Sequence, residues 1–392
     1  MKLDRNTKVG IAGAGAMGSG IAQVAATYGH TVVLYDSVAG AVDRGLASIG
    51  KSLDRLVEKN KLTAEDSGAI RHRIERAETI DAFSGCGLVI EAIVEDLPAK
   101  QSLFSSLESV VGSETVLGTN TSSLSVTAIA RVCTRAERVV GIHFFNPPIV
   151  LPLVEIVPGL ATDDSIVDAT RQLVTAWGKT TVVASDTPGF IVNRIARPFY
   201  GEALRIYEEG IADMATIDWA MRELGGFRMG PFELMDFIGN DVNFAATKSV
   251  YEALFHDSRF RPALTQQRMV DSGFLGRKTG RGYYDYSPGA SRPEPNQDLE
   301  LGDLIYRRIL SMLINQAAEA LYLRIATAED IDKAMTLGVN YPRGLLAWAD
   351  EIGIAETVKW LRTLQDFYGE ERYRPSPLLR TMAEDGFTFF NG

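Results

Sequence analysis

The sequence predicts a doubly wound α/β domain followed by two duplicated all-α domains. Up to about residue 185, short apolar strands alternate with helical segments, which is the pattern of a parallel sheet covered by helices. Beyond that point the pattern is nearly all helical, and a set of motifs occurs twice at the same spacing. We therefore place the domains at residues 1–185, 186–287 and 297–392.

The bulk composition limits the classes of function. A chain of 392 residues is long enough for two or three domains. Its formal charge of −10 disfavours nucleic acids and anionic membranes as partners, because both select basic surfaces. Cys86 and Cys133 lack the spacing of a metal site and fit a reducing compartment. No apolar run is long enough to span a bilayer, so we expect a cytoplasmic protein with no metal.

A glycine-rich turn follows the first predicted strand, Val9–Ala12, and opens a helix. The next strand, Thr31–Tyr35, ends in Asp36. This Rossmann-type arrangement brings backbone N–H groups and a helix N-terminus to a pyrophosphate. Asp36 would accept hydrogen bonds from a ribose 2′-hydroxyl and repel a 2′-phosphate, so NAD is favoured over NADP. The alternative is a glycine-rich turn that binds no nucleotide. The predicted contact residues of the turn are Gly13, Gly15, Ala16, Met17 and Gly18.

The segment from residue 37 to about residue 76 reads as helical and polar. Lys51, Arg55 and Lys59 recur at i, i+4 and i+8, so a helix presents them as one basic stripe. In a chain this acidic, the stripe suits phosphate groups. The alternative is a solvated helix face on which the cations pair with Asp54 and Glu58.

Polar residues follow the next two predicted strands, Gly87–Ala92 and Thr115–Gly118. They are Glu95, Lys100 and Ser122. Ligands of doubly wound sheets bind at the carboxyl ends of the strands, where these residues fall. Ser122 has a second interpretation as the N-cap of the helix that follows it.

A histidine with a carboxylate twelve residues further on stands out within an apolar run. His143 follows the strand Val139–Ile142, and Glu155 lies in the next predicted strand, Leu153–Val157. If the two strands are neighbours, the side chains lie within reach of each other. A histidine can then act as a proton acceptor while the carboxylate fixes its tautomer and orientation. The alternative is a core histidine beside a solvated glutamate.

The helical part of the chain contains an internal repeat. The triplet Glu202–Leu204 recurs as Glu319–Leu321, and the spacing of fifteen residues from Met221 to Asp236 recurs from Met335 to Asp350. Residues 287–296 are rich in Pro, Gly and Ser and are predicted to link the two copies. In this register Leu310 replaces Asn193, and the 276–283 loop has no clear counterpart. We expect a structural role for a second copy that has lost its polar residues.

Taken together, these segments resemble the L-3-hydroxyacyl-CoA dehydrogenases over nearly the whole chain. The resemblance rests on five motifs. They are the glycine turn with Asp36, Asn120–Ser123, His143–Pro147, Asp186–Arg194 and Gly276–Gly280.

The resemblance implies a role for each site residue. His143 would be the catalytic base and Glu155 its partner, with Ser122 and Asn193 near the reacting oxygen or the cofactor ring. The implied reaction is NAD-dependent oxidation of an L-3-hydroxyacyl-CoA, in fatty-acid or phenylacetate breakdown. Two positions match those near coenzyme A, namely Ser52 and Lys59. The positions that match those near NAD are Asp36, Glu95, Lys100, Ser122, Asn146 and Lys278.

The sequence and the resemblance leave alternatives for the substrate, the activity and the oligomeric state. The substrate is a CoA thioester or, as in gulonate dehydrogenases of similar fold, a free hydroxy acid. A non-catalytic protein on the same fold is a further alternative. Shorter family members pair as dimers through their single helical domain, so the chain forms a homodimer or a monomer with an internal pseudo-dimer. Long family members resemble 3-hydroxyadipyl-CoA dehydrogenases, whose substrate ends in a carboxylate. Arg194, Arg197 or Arg228 would bind this carboxylate. The alternative is that all three are ordinary surface arginines.

Overall fold

The computed structural model describes residues 3–390. The chain divides into two compact units, Met1–Phe190 and Ile191–Gly392, called unit 1 and unit 2 below. Within the described residues, no helix is both long enough and apolar enough to cross a bilayer.

Unit 1 is built on one eight-stranded sheet with the strand order β3-β2-β1-β4-β5-β6-β7-β8. All neighbouring strands are parallel except β6 and β7, which are antiparallel. The order reverses between β1 and β4, which is where ligands of doubly wound sheets bind. The strands are β1 (Val9–Ala12), β2 (Val32–Tyr35), β3 (Ile74–Arg76), β4 (Leu88–Glu91), β5 (Val116–Thr119), β6 (Val139–Phe144), β7 (Leu153–Pro158) and β8 (Thr180–Val183).

Six helices accompany this sheet, and the inner strands are buried along their whole length, as expected for a sheet covered on both faces. The expectation of an all-helical 37–76 segment is wrong at its end, because residues 74–76 form edge strand β3. Only one of its three side chains is buried, so the hydrophobic signal is weak. The helices are α1 (Ala16–Thr27), α2 (Ala41–Glu58), α3 (Ala64–His72), α4 (Leu97–Val110), α5 (Val126–Ala130) and α6 (Asp164–Ala176).

Unit 2 is helical. Residues 287–298 between its two halves contain no helix or strand. The first half contains α7 (Val192–Ile195), α8 (Arg197–Glu208), α9 (Met214–Trp219), α10 (Pro231–Ile238), α11 (Asn240–Ala253) and α12 (Leu264–Asp271). The second half contains α13 (Leu299–Tyr322), α14 (Ala328–Val339), α15 (Leu345–Ile352), α16 (Ile354–Tyr368) and α17 (Pro377–Asp385). The domain limits at residues 185, 287 and 297 stay a prediction.

The two halves repeat the same buried-aspartate arrangement. Asp218 accepts hydrogen bonds from the backbone N–H groups of residues 232 and 233, both at 2.9 Å. Asp332 accepts from residues 346 and 347, again at 2.9 Å. Each carboxylate therefore satisfies donors at the start of a helix, α10 in the first half and α15 in the second.

A second aspartate pair corrects the expectation that the repeat has lost its polar residues. Asp236 accepts from the backbone of residues 283 and 284, which close the 276–283 loop. Asp350 accepts in the same way from residues 389 and 390. Residues 389 and 390 thus correspond to residues 283 and 284, although the two segments share no sequence motif.

Reciprocal ion pairs join the two halves. Glu202 of α8 is 1% exposed and accepts from Arg308 of α13 at 2.9 Å. Glu319 of α13 pairs with Arg259 of the first half at 3.3 Å. Glu202 and Glu319 each begin the repeated Glu-Ala-Leu motif. The same position of the motif therefore forms an ion pair with the other half in both copies.

Candidate active site

His143 and Glu155 lie opposite each other on antiparallel strands β6 and β7. Directly opposed residues project to the same face of a sheet, and here the His143 Nδ1 and Glu155 Oε2 atoms are 2.7 Å apart. His143 is 6% exposed, and Glu155 is completely buried. The predicted contact is present. An Nδ1–H that donates to the carboxylate leaves Nε2 as the ring nitrogen that exchanges a proton with a ligand.

Aromatic rings hold the imidazole from two sides. The Phe145 ring centroid lies 4.6 Å from that of His143, and the Phe190 centroid lies 5.8 Å away. These contacts and the Glu155 hydrogen bond restrict the ring to one orientation. A base that is already oriented loses little entropy when a substrate binds.

Two residues to which the sequence interpretation assigned no role support the strand end and the loop after His143. Asn120 Oδ1 accepts from the Phe144 backbone N–H at 2.8 Å. Lys179 is 9% exposed, and its Nζ donates to the carbonyl oxygens of Pro148 at 2.5 Å and Leu151 at 2.9 Å. Lys179 thereby closes the 147–152 connection between β6 and β7, and burial lowers the pKa of its amino group.

The glycine turn has the geometry of a phosphate-binding turn. Gly13 has φ +114°, and a Cβ there would lie 2.4 Å from the Ala92 carbonyl oxygen. A Cβ at Gly18 would lie 1.9 Å from the Gly13 carbonyl oxygen, whereas nothing lies within 4 Å of one at Gly15. Helix α1 begins at Ala16 with no side-chain cap and no acid in its first turn. Its first N–H groups, including those of Ala16 and Met17, are therefore available to an anion.

Asp36 lies at the end of β2 beside this turn. Its Oδ2 accepts from the Ala14 backbone N–H at 2.7 Å, and its Oδ1 accepts from Val38 at 2.8 Å. The carboxylate is therefore fixed next to the first glycines. Each oxygen has a second lone pair with which to accept from a ribose hydroxyl.

Glu95 and Lys100 belong to a buried charge chain that includes a residue sequence reasoning missed. Glu91, the last residue of β4, is completely buried and accepts from Lys100 Nζ at 2.5 Å, from Ile93 N–H at 2.7 Å and from Thr119 Oγ1 at 2.7 Å. Lys100 is 1% exposed and also lies 3.2 Å from Glu95 Oε2. Lys100 is thus paired with Glu91 and Glu95 and is not exposed to solvent.

Glu95 in turn holds the loop that carries Ser122. Its Oε1 accepts from the backbone N–H groups of Ser122 at 2.8 Å and Ser123 at 3.1 Å, and from the Thr121 hydroxyl at 2.7 Å. Burial raises the pKa of Glu95, but Lys100 and these hydrogen bonds outweigh that effect and the pKa is lowered. The charge chain therefore positions Ser122 through Glu95.

The alternative that Ser122 caps the following helix is wrong. Helix α5 is capped by Ser125, whose side chain accepts from the Ala128 N–H. Asp186 adds to this cap, since it accepts from the Ser125 hydroxyl and from the backbone of Val126 and Thr127 at 2.8–2.9 Å. Ser122 lies before the cap, in the loop after β5.

The remaining predicted positions lie apart from these contacts or in unit 2. Asn146 is exposed in the loop after β6. Asn193 lies in α7, and its backbone carbonyl accepts from Arg197 Nε at 2.9 Å. Lys278 lies in unit 2 and donates to both Asp241 oxygens, at 2.6 and 2.7 Å.

The basic stripe lies on the exposed side of α2. Lys51, Arg55 and Lys59 are all exposed, and among residues 3–390 none of them forms an ion pair. The alternative, in which these cations pair with Asp54 and Glu58, is not seen among residues 3–390, and Asp54 pairs with Arg71 instead. Ser52 is half-buried on the same helix. The stripe is thus a group of uncompensated cations in an acidic chain.

Two family models match nearly the whole chain. The NAD-binding domain of 3-hydroxyacyl-CoA dehydrogenase matches residues 8–187. The C-terminal domain of 3-hydroxyacyl-CoA dehydrogenase matches twice, at residues 189–286 and 304–388.

Individual relatives agree with these matches. The chain is 39% identical to the 3-hydroxyadipyl-CoA dehydrogenase of Escherichia coli, over 97% of this chain and 98% of that protein. It is 42% identical to a 3-hydroxybutyryl-CoA dehydrogenase of Bradyrhizobium diazoefficiens, over 74% of this chain and 98% of the relative. A crystal structure of 3-hydroxybutyryl-CoA dehydrogenase from Escherichia coli superposes with a TM-score of 0.92 at 38% identity, covering 97% of this chain and 99% of that one.

The site geometry and the comparisons lead to one assignment. The glycine turn and the histidine–glutamate pair lie in the part of the chain that matches the NAD-binding model, and the helical unit matches the C-terminal model twice. The chain belongs to the 3-hydroxyacyl-CoA dehydrogenase family, and it is an NAD-dependent enzyme that oxidises a 3-hydroxyacyl-CoA to the 3-oxoacyl-CoA.

Proposed function

We propose that His143 is the general base of this oxidation. Its Nε2 takes the proton of the C3 hydroxyl, and the same nitrogen returns a proton to the C3 oxygen in the reverse direction. The observation that carries this role is the 2.7 Å contact between His143 Nδ1 and a completely buried Glu155. A base held in this way contributes about 10²–10⁴-fold to the rate. When bound, NAD supplies the hydride acceptor.

Glu155 orients the ring and balances the positive charge that His143 acquires. A carboxylate inside the protein does this more strongly than one in water, because the local dielectric is low. Glu155 touches His143 and not the substrate in this scheme. It is therefore a positioning residue.

Ser122 is proposed to donate to the C3 oxygen or to contact the cofactor ring. The support is its loop, which Glu95 holds through two backbone N–H groups and the Thr121 hydroxyl. A hydroxyl on a fixed loop is pre-organised for charge that develops in the transition state. The corresponding role of Asn193 rests on the family resemblance.

The residues of unit 1 fit NAD on structural grounds. The uncapped start of α1 and the open space at Gly15 suit a pyrophosphate, and the Asp36 carboxylate suits a ribose with a free 2′-hydroxyl. We propose Lys278 and Asn146 as further contacts on the resemblance alone. Ser52 and Lys59 are proposed for coenzyme A, since the uncompensated stripe on α2 suits its phosphates.

We propose that the acyl group is of the adipyl type, and thus a chain that ends in a carboxylate. The support is that the relative named 3-hydroxyadipyl-CoA dehydrogenase matches 97% of this chain, including the second helical half. The solved Escherichia coli structure named 3-hydroxybutyryl-CoA dehydrogenase also covers 97% of this chain, so the length of the match does not by itself select the acyl group. Among residues 3–390, the buried Arg197 has no acidic partner, which favours an acyl chain that ends in a carboxylate.

The second helical half is proposed to take the place of a partner subunit. Its support is the reciprocal pairing of Glu202 with Arg308 and of Glu319 with Arg259. Sedimentation analysis should give a monomer, and a stable dimer would contradict the pseudo-dimer.

We also propose a cytoplasmic location, where the buried thiols of Cys86 and Cys133 stay reduced. Burial raises the pKa of each thiol to about 11.

The His143→Ala variant tests the proposed mechanism. We expect turnover with acetoacetyl-CoA and NADH to fall by about 10²–10⁴-fold, while the NADH dissociation constant stays within about twofold, because the base does not build the nucleotide site. His72→Ala, at an exposed position on α3, is the matched control and should keep wild-type turnover. A His143→Ala enzyme that is folded and fully active would remove His143 from the mechanism.

A further inference from the structure

Arg197 is a buried cation with no acidic partner. It is the first residue of α8 and is 7% exposed. Among residues 3–390, no carboxylate lies within ion-pair distance of its guanidinium, and burial lowers its pKa. Arg205 on the same helix is equally buried, but it pairs with Glu202 at 3.1 Å. A buried charge without a counter-ion is costly and calls for a compensating ligand.

The hydrogen bonds of Arg197 leave part of its guanidinium unused. Its Nε donates to the Asn193 carbonyl oxygen at 2.9 Å, and its Nη1 donates to Thr247 Oγ1 at 3.2 Å. A guanidinium has five N–H donors, so three have no acceptor within the described residues. Nη2, unlike a completely enclosed nitrogen, keeps a small exposed surface.

The surroundings of Arg197 add a second group without a partner. Its guanidinium carbon lies 5.0 Å from the Tyr200 ring centroid, a contact that offsets only part of the burial cost. Tyr341 is one of the residues whose charge interacts with Arg197, and its hydroxyl is buried without a hydrogen bond. Burial raises the pKa of Tyr341, so the hydroxyl keeps its proton and can donate it.

The other two arginines that the sequence offers for a terminal carboxylate are less suitable. Arg228 is exposed, as expected of a surface arginine. Arg194 is buried, but the charges of Asp257 and Glu319 already act on it, together with that of Arg259. The interpretation of Arg197 as an ordinary surface arginine is wrong, since it is buried.

We propose that Arg197 binds the carboxylate at the far end of the substrate's acyl chain, with Tyr341 as a second donor. This inference rests on the proposed role of Asn193 at the reacting end of the substrate. Asn193 in α7 and Arg197 at the start of α8 are only four positions apart, and the Arg197 Nε reaches the Asn193 backbone carbonyl directly. In an adipyl chain the carboxylate carbon lies only three bonds past C3, about 3.8 Å when extended. A substrate that touches Asn193 thus brings its carboxylate to the guanidinium.

A purely structural role is the competing explanation, because Arg197 also ties Asn193 to Thr247. The two explanations differ in which substrates they affect. Loss of a structural clamp slows all substrates alike. Loss of a carboxylate partner slows only those substrates that carry the carboxylate. The ratio of two kcat/KM values separates the cases, and it is unaffected by the fraction of enzyme that folds.

The test compares 3-oxoadipyl-CoA with acetoacetyl-CoA, each reduced with NADH by the full-length enzyme. The wild-type protein should prefer 3-oxoadipyl-CoA. Arg197→Met should lower the ratio of the two kcat/KM values by about 10- to 100-fold, because a charge-assisted contact is lost from one substrate only. Arg197→Lys keeps the charge and should restore part of the ratio. Thr247→Val removes one hydrogen bond of the guanidinium but no charge, and should change the ratio by less than about threefold.

Each remaining outcome has one meaning. If Arg197→Met slows both substrates equally, Arg197 is a structural clamp and the inference is overturned. If the wild-type enzyme reduces acetoacetyl-CoA but not 3-oxoadipyl-CoA, the carboxylate site is wrong while the dehydrogenase activity stands. If neither thioester is reduced, the proposed function itself fails.

Discussion

Replacement of Glu155 by glutamine is the most informative perturbation of the site. The variant keeps the size of the side chain and removes its charge. In the structure Glu155 is completely buried, and its Oε2 lies 2.7 Å from His143 Nδ1. Glutamine can still accept the Nδ1–H bond through its carbonyl oxygen, so the geometry can survive. The positive charge that develops on His143 loses its buried counter-charge.

The expected size of the effect follows from the type of hydrogen bond lost. A hydrogen bond to a charged group is worth about 1.5–3 kcal/mol. Since about 1.4 kcal/mol corresponds to a factor of ten in rate, kcat should fall by about 10- to 150-fold. The loss should appear in kcat more than in KM, because the charge on His143 is present in the transition state and not in the bound alcohol.

The assay follows NADH formation at saturating L-3-hydroxybutyryl-CoA and NAD, the direction in which His143 acquires its charge during the reaction. Glu114→Gln is the matched control, because that side chain is 76% exposed and only 3.5 Å from its nearest cation. The control should keep wild-type turnover. Binding of NADH to Glu155→Gln, measured by fluorescence, should match the wild-type enzyme. A folded Glu155→Gln enzyme with kcat within twofold of wild type would refute the view that a buried counter-charge supports His143.

Three further predictions concern the cofactor, stability and pH. Asp36→Ser should raise the ratio of NADP to NAD kcat/KM by at least tenfold, because the carboxylate that repels a 2′-phosphate is gone; an unchanged ratio would count against its role. Glu202→Ala removes the acidic partner of the buried Arg205 and one of the two acidic partners of Arg308, the other being Glu209, and urea unfolding should show a loss of about 3–5 kcal/mol, against less than 0.5 kcal/mol for the exposed Glu384→Ala. Glu95 has a lowered pKa, so its contribution to stability is full above its ordinary value of 4.5 and is lost as pH falls through the lowered one. In Glu95→Gln the melting temperature should depend less on pH in the acidic range below 4.5. If its dependence on pH matches that of the wild-type protein, the proposed contribution of the Glu95 charge is wrong.

The sequence was sufficient where a contact depends on local pattern. His143 and Glu155 were predicted to meet because a short connection joins two apolar strands, and antiparallel pairing then places them face to face. The positions of the glycine turn and Asp36 were predictable because strand β1, the turn, helix α1 and strand β2 follow one another closely in the sequence.

Other features depend on partners that no spacing reveals. Glu91 reads as an ordinary strand residue, yet Thr119, 28 positions away, donates to its carboxylate. Lys179 reads as a surface lysine until its contacts with the 147–152 loop are seen. Edge strands β3 and β8 were not predicted, because strands of three or four half-exposed residues carry little hydrophobic signal.

The central claim is that this chain oxidises a CoA thioester with NAD. The most direct test is NADH formation by the purified full-length protein, with L-3-hydroxyadipyl-CoA and L-3-hydroxybutyryl-CoA compared with the corresponding free hydroxy acids. We expect NADH from the thioesters, competition by free coenzyme A, and negligible rates with the free acids. Turnover of the free acids that coenzyme A does not inhibit, or no NADH from either thioester, would contradict it.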